Sequence, residues 1–427
     1  MTSVTERAAV RRLRHAPGER PMIVIWEVTR ACALVCLHCR ADAQHRRNPH
    51  ELTTAQGKEL LDDIAAFGRP FPIVVLTGGD PFERPDLADL VRHGSSLGLH
   101  MALSPSVTPR LTREVLDELR AAGAGALSLS LDGAKPSTHD AFRGVPGVFE
   151  ATLHAAAEVR DAGFRLQVNS TVTRANVHEL PELLRTVIDL GASLWSVFFL
   201  VPTGRGELLQ PLEPEQVEDV LHWLHDVSDL VAIKTTEAPH YRRVAIQRAG
   251  ARTGGTEAAD GGGARVAEGS DPSAASGAVG GSETVGAGAP TLGELHEQLT
   301  DAVAPLRAQR HTAQRRPRPP IEVNSGRGFA FIDHVGEVYP SGFLPHRCGN
   351  VKDLGFREIY RSSPLLRSLR DPDQFHGKCG VCEFRDVCGG SRSHAYAVTG
   401  DLLASDPTCV YVPAGAAAPD TSPTRRP

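Results

Sequence analysis

The sequence predicts an α/β protein built as a partial (β/α)6 TIM-like barrel with a small cysteine-rich C-terminal extension. Three observations lead there. From Ile23 onward, short runs rich in Val, Ile and Leu alternate with longer segments of helical period, the pattern of β/α units around a parallel sheet. Six full units can be traced, fewer than the eight of a closed barrel, so the barrel is expected to be open. Beyond about residue 320 the periodicity gives way to short strands with Gly turns over 321–347, then to a cysteine-rich stretch over 348–409.

In chain order, residues 1–20 form an N-terminal arm and 21–245 the barrel core. Strands are expected at 23–28, 72–77, 99–103, 126–131, 165–172, 194–200 and 231–236. Helices lie near 54–67, 86–97, 111–122, 147–162, 177–190 and 213–230; Thr53 and Thr54, and Pro85 with Asp86, supply helix starts. Residues 250–290 have almost no large apolar side chain and read as a disordered insertion or linker. A cysteine-rich domain over 321–412 can be held by metal rather than by a core, and the Pro/Ala/Thr-rich tail over 413–427 is expected to fray.

With 41% hydrophobic residues and a net charge of −5, neither general disorder nor a strong nucleic-acid field is suggested. Arg315, Arg316 and Arg318 stand among prolines and read as a solvated linker. No stretch approaches the roughly 20 apolar residues that span a bilayer, and the start lacks a secretory apolar core. A cytoplasmic protein with neither a membrane nor a nucleic-acid partner is expected. Eight cysteines in such a chain point to metal rather than to disulfides.

Cys32, Cys36 and Cys39 follow the first strand directly, on one loop at the C-terminal mouth of the sheet, where barrel active sites lie. Three thiolates are informative, because a structural zinc or an ordinary electron-transfer cluster takes four protein ligands. An iron lacking a cysteine keeps a position open to a small molecule. From spacing alone, a zinc site completed by His38 or His45 stays open. After the second strand come Gly78, Gly79 and Asp80; paired glycines let a ligand approach the backbone, although the same residues also make an ordinary turn. Ser128, Ser130 and Asp132 alternate with leucines and share an inward face, as do Asn169 and Thr171. A buried hydroxyl or carboxylate without a partner costs about 1–3 kcal/mol, so such a face needs a ligand or a network. The mouth loop Pro202–Gly206 offers Arg205 to an anionic group or is a structural turn, and His240, Tyr241 and Arg242 are candidates for substrate contact. Near the C-terminus, Cys379, Cys382, Cys388 and Cys409 provide four thiolates for one centre, chemically either zinc or 4Fe-4S.

The spacing of Cys32, Cys36 and Cys39, the TGGDP motif and the run from Ser130 through His139 to Arg143-Gly144 resemble the radical SAM superfamily, in the subgroup with a SPASM or Twitch extension. The resemblance implies a 4Fe-4S cluster on Cys32, Cys36 and Cys39, with His38 packed beside it. It implies S-adenosylmethionine (SAM) at Gly78, Gly79 and Asp80 and at Ser130, with Asn169 near the ribose and Arg143 on the SAM carboxylate. An alternative leaves Arg143 as a surface partner of Asp140. Asp80 stands where Glu is more usual. The C-terminal four cysteines would hold one auxiliary 4Fe-4S cluster, because Arg392 occupies the place of a further cysteine and only Cys348 remains, as a free thiol or an exchanged ligand. A flavodoxin or ferredoxin is the implied low-potential electron donor.

The stretches FLVPTGRG, EAPHYRRV and CGGSRSHAYAVTGD resemble radical SAM proteins near haem-maturation enzymes, which act on propionate side chains of tetrapyrroles. The alternative is a peptide maturase such as the mycofactocin maturase, so the substrate is a small molecule or a peptide. About 20 residues precede the first strand, which is short for a leader-binding domain. From other classes, an iron-sulfur electron carrier or sensor and a zinc-stabilised interaction protein explain the cysteines but not the glycine pair or the polar strand faces.

Overall fold

The computed structural model describes residues 9–257, 292–309 and 317–416, with side chains to residue 251 in the first segment. Arg315, Arg316, most of the expected 250–290 linker, the start of the arm and the end of the tail lie outside the described residues. The barrel core runs β1 (Ile23–Thr29), α1 (Thr54–Ala65), β2 (Ile73–Gly78), α2 (Leu87–Ser96), β3 (His100–Leu103), α3 (Arg113–Ala121) and β4 (Ala126–Ser130). It continues with α4 (Pro136–Arg143), α5 (Val148–Asp161), β5 (Arg165–Val172), α6 (Leu180–Asp189), β6 (Leu194–Phe199), α7 (Pro214–Asp226), β7 (Ile233–Thr236) and α8 (Tyr241–Glu257). The predicted strands and helices recur with ends shifted by a few residues. Helix α8 extends through residues 250–257, so the expected linker does not begin at 250.

Beyond it come α9 (Glu294–Gln309), β8 (Phe329–Ile332), β9 (Glu337–Tyr339), β10 (Gly349–Asn350), α10 (Phe356–Ser362), α11 (Pro364–Arg370), α12 (Gly377–Val381) and α13 (Arg392–Thr399). All strands join one sheet in the order β10-β9-β8-β1-β2-β3-β4-β5-β6-β7, parallel from β8 to β7. It is open, with β7 and β10 as its edges. The sequence did not anticipate β8 beside β1, with Ile23 opposite Phe329 and Trp26 opposite Ile332. The extension therefore begins as a further barrel strand. Among the described residues, no helix is long and apolar enough to cross a membrane.

Period-2 patterning sets the two faces of the sheet. On β5, Leu166, Val168, Ser170 and Val172 are buried, while Arg165, Gln167, Asn169 and Thr171 alternate with them on the more accessible face. The helices close over the buried face: Gly57 of α1 leaves room for Trp26, whose ring carbon would lie 2.7 Å from an added Cβ. Trp195 and Trp223 meet edge to face at 6.2 Å, and Leu299 of α9 accepts from the Trp223 indole at 3.1 Å. Thr53 caps α1 in a capping box with Gln56. Asp86 makes no capping hydrogen bond to α2; its carboxylate accepts from Thr54 and Arg84 and ties the two helix starts together.

Candidate functional site

The loop after β1 is fixed by backbone pairing before any ligand is considered. Cys32 N–H donates to the Gln44 carbonyl at 2.8 Å, and Gln44 N–H donates back to Arg30 at 2.9 Å. Its floor is the end of β2. Gly79 N–H donates to Thr29 at 3.0 Å and Asp80 N–H to Ala31 at 2.7 Å. A Cβ on Gly78 would stand 2.2 Å from the Thr29 carbonyl, and one on Gly79 2.4 Å from that of Ala31. The glycine pair is thus required by the approach of the cysteine loop itself. The Gly79 carbonyl already accepts from Ser106 Oγ at 2.8 Å.

Cys32, Cys36 and Cys39 line one cavity of about 820 Å³ together with Gly78, Gly79, Ser130, Asn169 and Arg143. Backbone N–H groups of Leu34 and Ala43 point at the sulfurs of Cys32 and Cys39, at 3.3 and 3.5 Å. Burial pushes the Cys32 and Cys36 thiols up, against the hydrogen bonds from Ser106 and Arg143. Such sulfurs become thiolates when a cation meets them. Asp80 does not line this cavity. Its carboxylate accepts from Thr108 Oγ1 at 2.7 Å and Phe82 N–H at 3.1 Å, so it caps the turn and holds the 106–108 loop.

Arg143 does not pair with Asp140, which instead accepts from the Gly147 and Phe149 N–H groups at the start of α5. It is buried, forms an ion pair with Asp132, and reaches Cys36 Sγ at 3.8 Å. Asp132 also accepts from Thr171 N–H at 2.7 Å; burial pushes its carboxyl up, but Arg143 prevails and holds it below the usual range. His38 packs on Phe142 with ring centres 5.6 Å apart, and burial lowers its imidazole to about 4. Its Nδ1, Arg143 Nε and two nitrogens of Arg205 are buried without a hydrogen-bond partner among the described residues.

Around the thiol loop stand the expected 202–206 loop and, not legible in the sequence, Glu27, Arg40 and His334. Gly204 brings the 202–206 loop against the Cys39 and Arg40 carbonyls, and the Arg205 guanidinium stands beside the Cys39 thiol. Glu27, buried near the end of β1, joins Arg40 at 2.7 Å and His334 at 3.2 Å, which ties the loop to the turn following β8. His240 and Tyr241 do not line the cavity; His240 is buried near Asp406 and Tyr241 packs in the core. Arg242 does line it, while donating to the Val387 and Val323 carbonyls, each at 2.8 Å, and so joins the barrel to the extension.

Cys379, Cys382, Cys388 and Cys409 bound a second, small cavity. Backbone N–H groups of Asp406, Phe384 and Gly390 face three of these sulfurs at 3.4–3.5 Å. Burial pushes Cys382 up to about 11 and Cys388 and Cys409 to about 12. Arg392 stacks on Phe375, donates to the Leu402 and Ala404 carbonyls and reaches Cys379 Sγ at 3.6 Å. Cys348 stands apart, against the barrel core and beside Ser363. Among the described residues, no three His, Cys, Asp or Glu side chains converge tightly enough to hold a single metal ion.

Residues 26–187 match the model of the Radical SAM superfamily. The AdoMet-dependent heme synthase of Methanosarcina barkeri is 37% identical over 395 residues, which cover 92% of this chain and 97% of that protein. The chain belongs to the radical SAM superfamily. The pre-heme d1 synthase of Dinoroseobacter shibae is 30% identical over 402 residues, covering 93% of this chain and 88% of that protein. Among solved structures, Streptococcus suis SuiB bound to S-adenosylmethionine aligns with a TM-score of 0.60 over 92% of this chain and 78% of that one; at 13% identity the likeness is one of fold. As a radical SAM enzyme, the chain works with a 4Fe-4S cluster, SAM and a reductant. The cavity fits that requirement: three thiols share it, and buried polar atoms of His38, Arg143 and Arg205 beside them await partners.

Proposed function

We propose that this radical SAM enzyme modifies a tetrapyrrole through its carboxylate side chains, in haem-related metabolism. Cys32, Cys36 and Cys39 would hold the cluster; the Gly78-Gly79 backbone, Ser130, Asn169 and Arg143 would contact SAM. Held by these thiolates, a reduced cluster would supply the electron for reductive cleavage of SAM to methionine and the 5′-deoxyadenosyl radical that would abstract hydrogen from the substrate. The residues position and shield. Asp132 fixes the Arg143 guanidinium beside Cys36, where it is placed to meet a carboxylate. His38, neutral and packed on Phe142, keeps water from the loop.

The observation that carries the substrate reading is the cavity's charge. Although the chain is net acidic, eight Arg and Lys side chains line the cavity against two carboxylates, Asp132 and Glu237. A polycarboxylate suits that interior, and the heme synthase and pre-heme d1 synthase align with 92% and 93% of the chain at 37% and 30% identity. We further propose that Cys379, Cys382, Cys388 and Cys409 hold one auxiliary 4Fe-4S cluster with full thiolate ligation, in a cytoplasmic enzyme served by a flavodoxin or ferredoxin. The test is anaerobic turnover with reductant, SAM and iron-coproporphyrin III as probe. Release of 5′-deoxyadenosine matched by a mass change in the tetrapyrrole is expected. An unchanged tetrapyrrole, with a precursor peptide modified instead, would overturn the substrate reading.

A further inference from the structure

The cavity does not end at the thiol loop; it continues to the opposite end of the barrel, where Ile23, Ile73, His100, Ala126 and Ile233 at the strand starts also line it. Four cations line that end: Arg165, exposed at the start of β5, and three that gather around β7. Lys234, the second residue of β7, faces into the barrel and is half-buried. Arg318 follows from the segment leading to β8, and Arg11 from the arm, which runs beside it through the Arg11–Ile321 bridge. Arg11 spends its Nε on the Pro319 carbonyl at 2.9 Å. Among the described residues, no side chain forms an ion pair with any of the three, and the Lys234 ammonium and Arg318 guanidinium have no hydrogen-bond partner.

Their electrostatics are mutually unfavourable. Burial lowers the Lys234 ammonium and Arg318 lowers it further; the Arg11 guanidinium is lowered by the same two causes in the same order. Among the described residues no carboxylate offsets either, because the acids that line the cavity, Asp132 and Glu237, follow the C-terminal ends of β4 and β7. Like charges gathered inside a cavity without a counter-charge raise its affinity for anions.

We propose that Lys234, Arg318 and Arg11 form a carboxylate subsite at the strand-start end of the barrel, which anchors an acidic side chain of the substrate while its reacting part faces the thiol loop. The inference rests on the polycarboxylate reading above and adds where the distal carboxylates bind. Lys234 lies near the start of β7 and Glu237 just past its end, where the chain turns with a positive φ; three residues reach at most about 10 Å, so a ligand that spans both ends is an elongated or macrocyclic acid rather than a small amino acid.

Two arms test it on the full-length holoenzyme under anaerobic conditions. In the first, the thermal shift produced by citrate, a tricarboxylate probe, is compared between the parent and Lys234→Gln/Arg318→Gln. The parent is expected to shift and the variant to lose most of that shift; equal shifts overturn the subsite. In the second, coproporphyrin III and its tetramethyl ester are titrated by absorbance. The parent should prefer the free acid, and the variant should bind it at least about tenfold more weakly, the loss of one charge-assisted hydrogen bond. An unchanged preference overturns the substrate role. If the parent binds neither tetrapyrrole, the tetrapyrrole reading fails, and the subsite is decided by the citrate arm alone.

Discussion

At the scale of single residues, the site is a set of polar groups that the fold buries without fully satisfying. Burial acts as well on groups behind the site, and His139, whose ring nitrogens meet the Asp132 N–H and Thr152 Oγ1, shows the energetic consequence. It accepts from the Asp132 N–H through Nδ1 at 3.0 Å, and burial lowers its imidazole from 6.5 to about 4. Between those values the unfolded chain binds the proton and the folded chain does not. Stability from this group is therefore complete above pH 6.5 and is lost as pH falls through 4, by about 3 kcal/mol. Urea unfolding of the metal-free protein from pH 7 to pH 4 should show a shallower decline for His139→Gln than for the parent; parallel declines would contradict the assignment. Asp80 shows why side-chain roles were harder to read. An acid after two glycines at a strand end fits a ligand contact and a turn cap equally well, and only the position of Thr108 decides between them. Lys234 was passed over because IKTT reads as an ordinary strand, with nothing local to show that this side chain faces the interior rather than water.

Among the elements, the contact between the β1 exit and the β2 exit does the most to place the thiols. Gly79→Ala would force a Cβ to 2.4 Å from the Ala31 carbonyl. The strand ends must separate, at a cost of about 1–3 kcal/mol. Gly125, where an added Cβ meets nothing within 4 Å, is the matched control. Gly79→Ala should lower the urea midpoint and bind less iron, with Gly125→Ala close to the parent on both counts; equal behaviour would show that the glycine is not what holds the loop. The barrel strands and their helices were legible because period-2 and period-3.6 patterns are written locally. The pairing of β8 with β1 was not, since FAFI is a four-residue run whose partner lies some three hundred residues earlier. Helix α9 was missed for a related reason: it docks on α7 across a compositionally biased segment that hides its start.

For the whole molecule, the two cysteine sets sit in separate cavities linked through Arg242 and Arg243. Arg242 spans the barrel cavity and the Val387 carbonyl next to Cys388. Arg243, paired with Glu218 at 2.5 and 2.8 Å, stacks 5.0 Å from the Tyr411 ring beside the second set. Two clusters of four irons predict about 8 Fe per chain after anaerobic reconstitution. About 4 Fe together with bound zinc would contradict the auxiliary iron-sulfur centre. The central claim, that the loop of Cys32, Cys36 and Cys39 is where SAM is cleaved, is tested most directly by 5′-deoxyadenosine release from dithionite-reduced protein and SAM. The parent should release it and Cys36→Ala should not; release unchanged in Cys36→Ala would contradict the account.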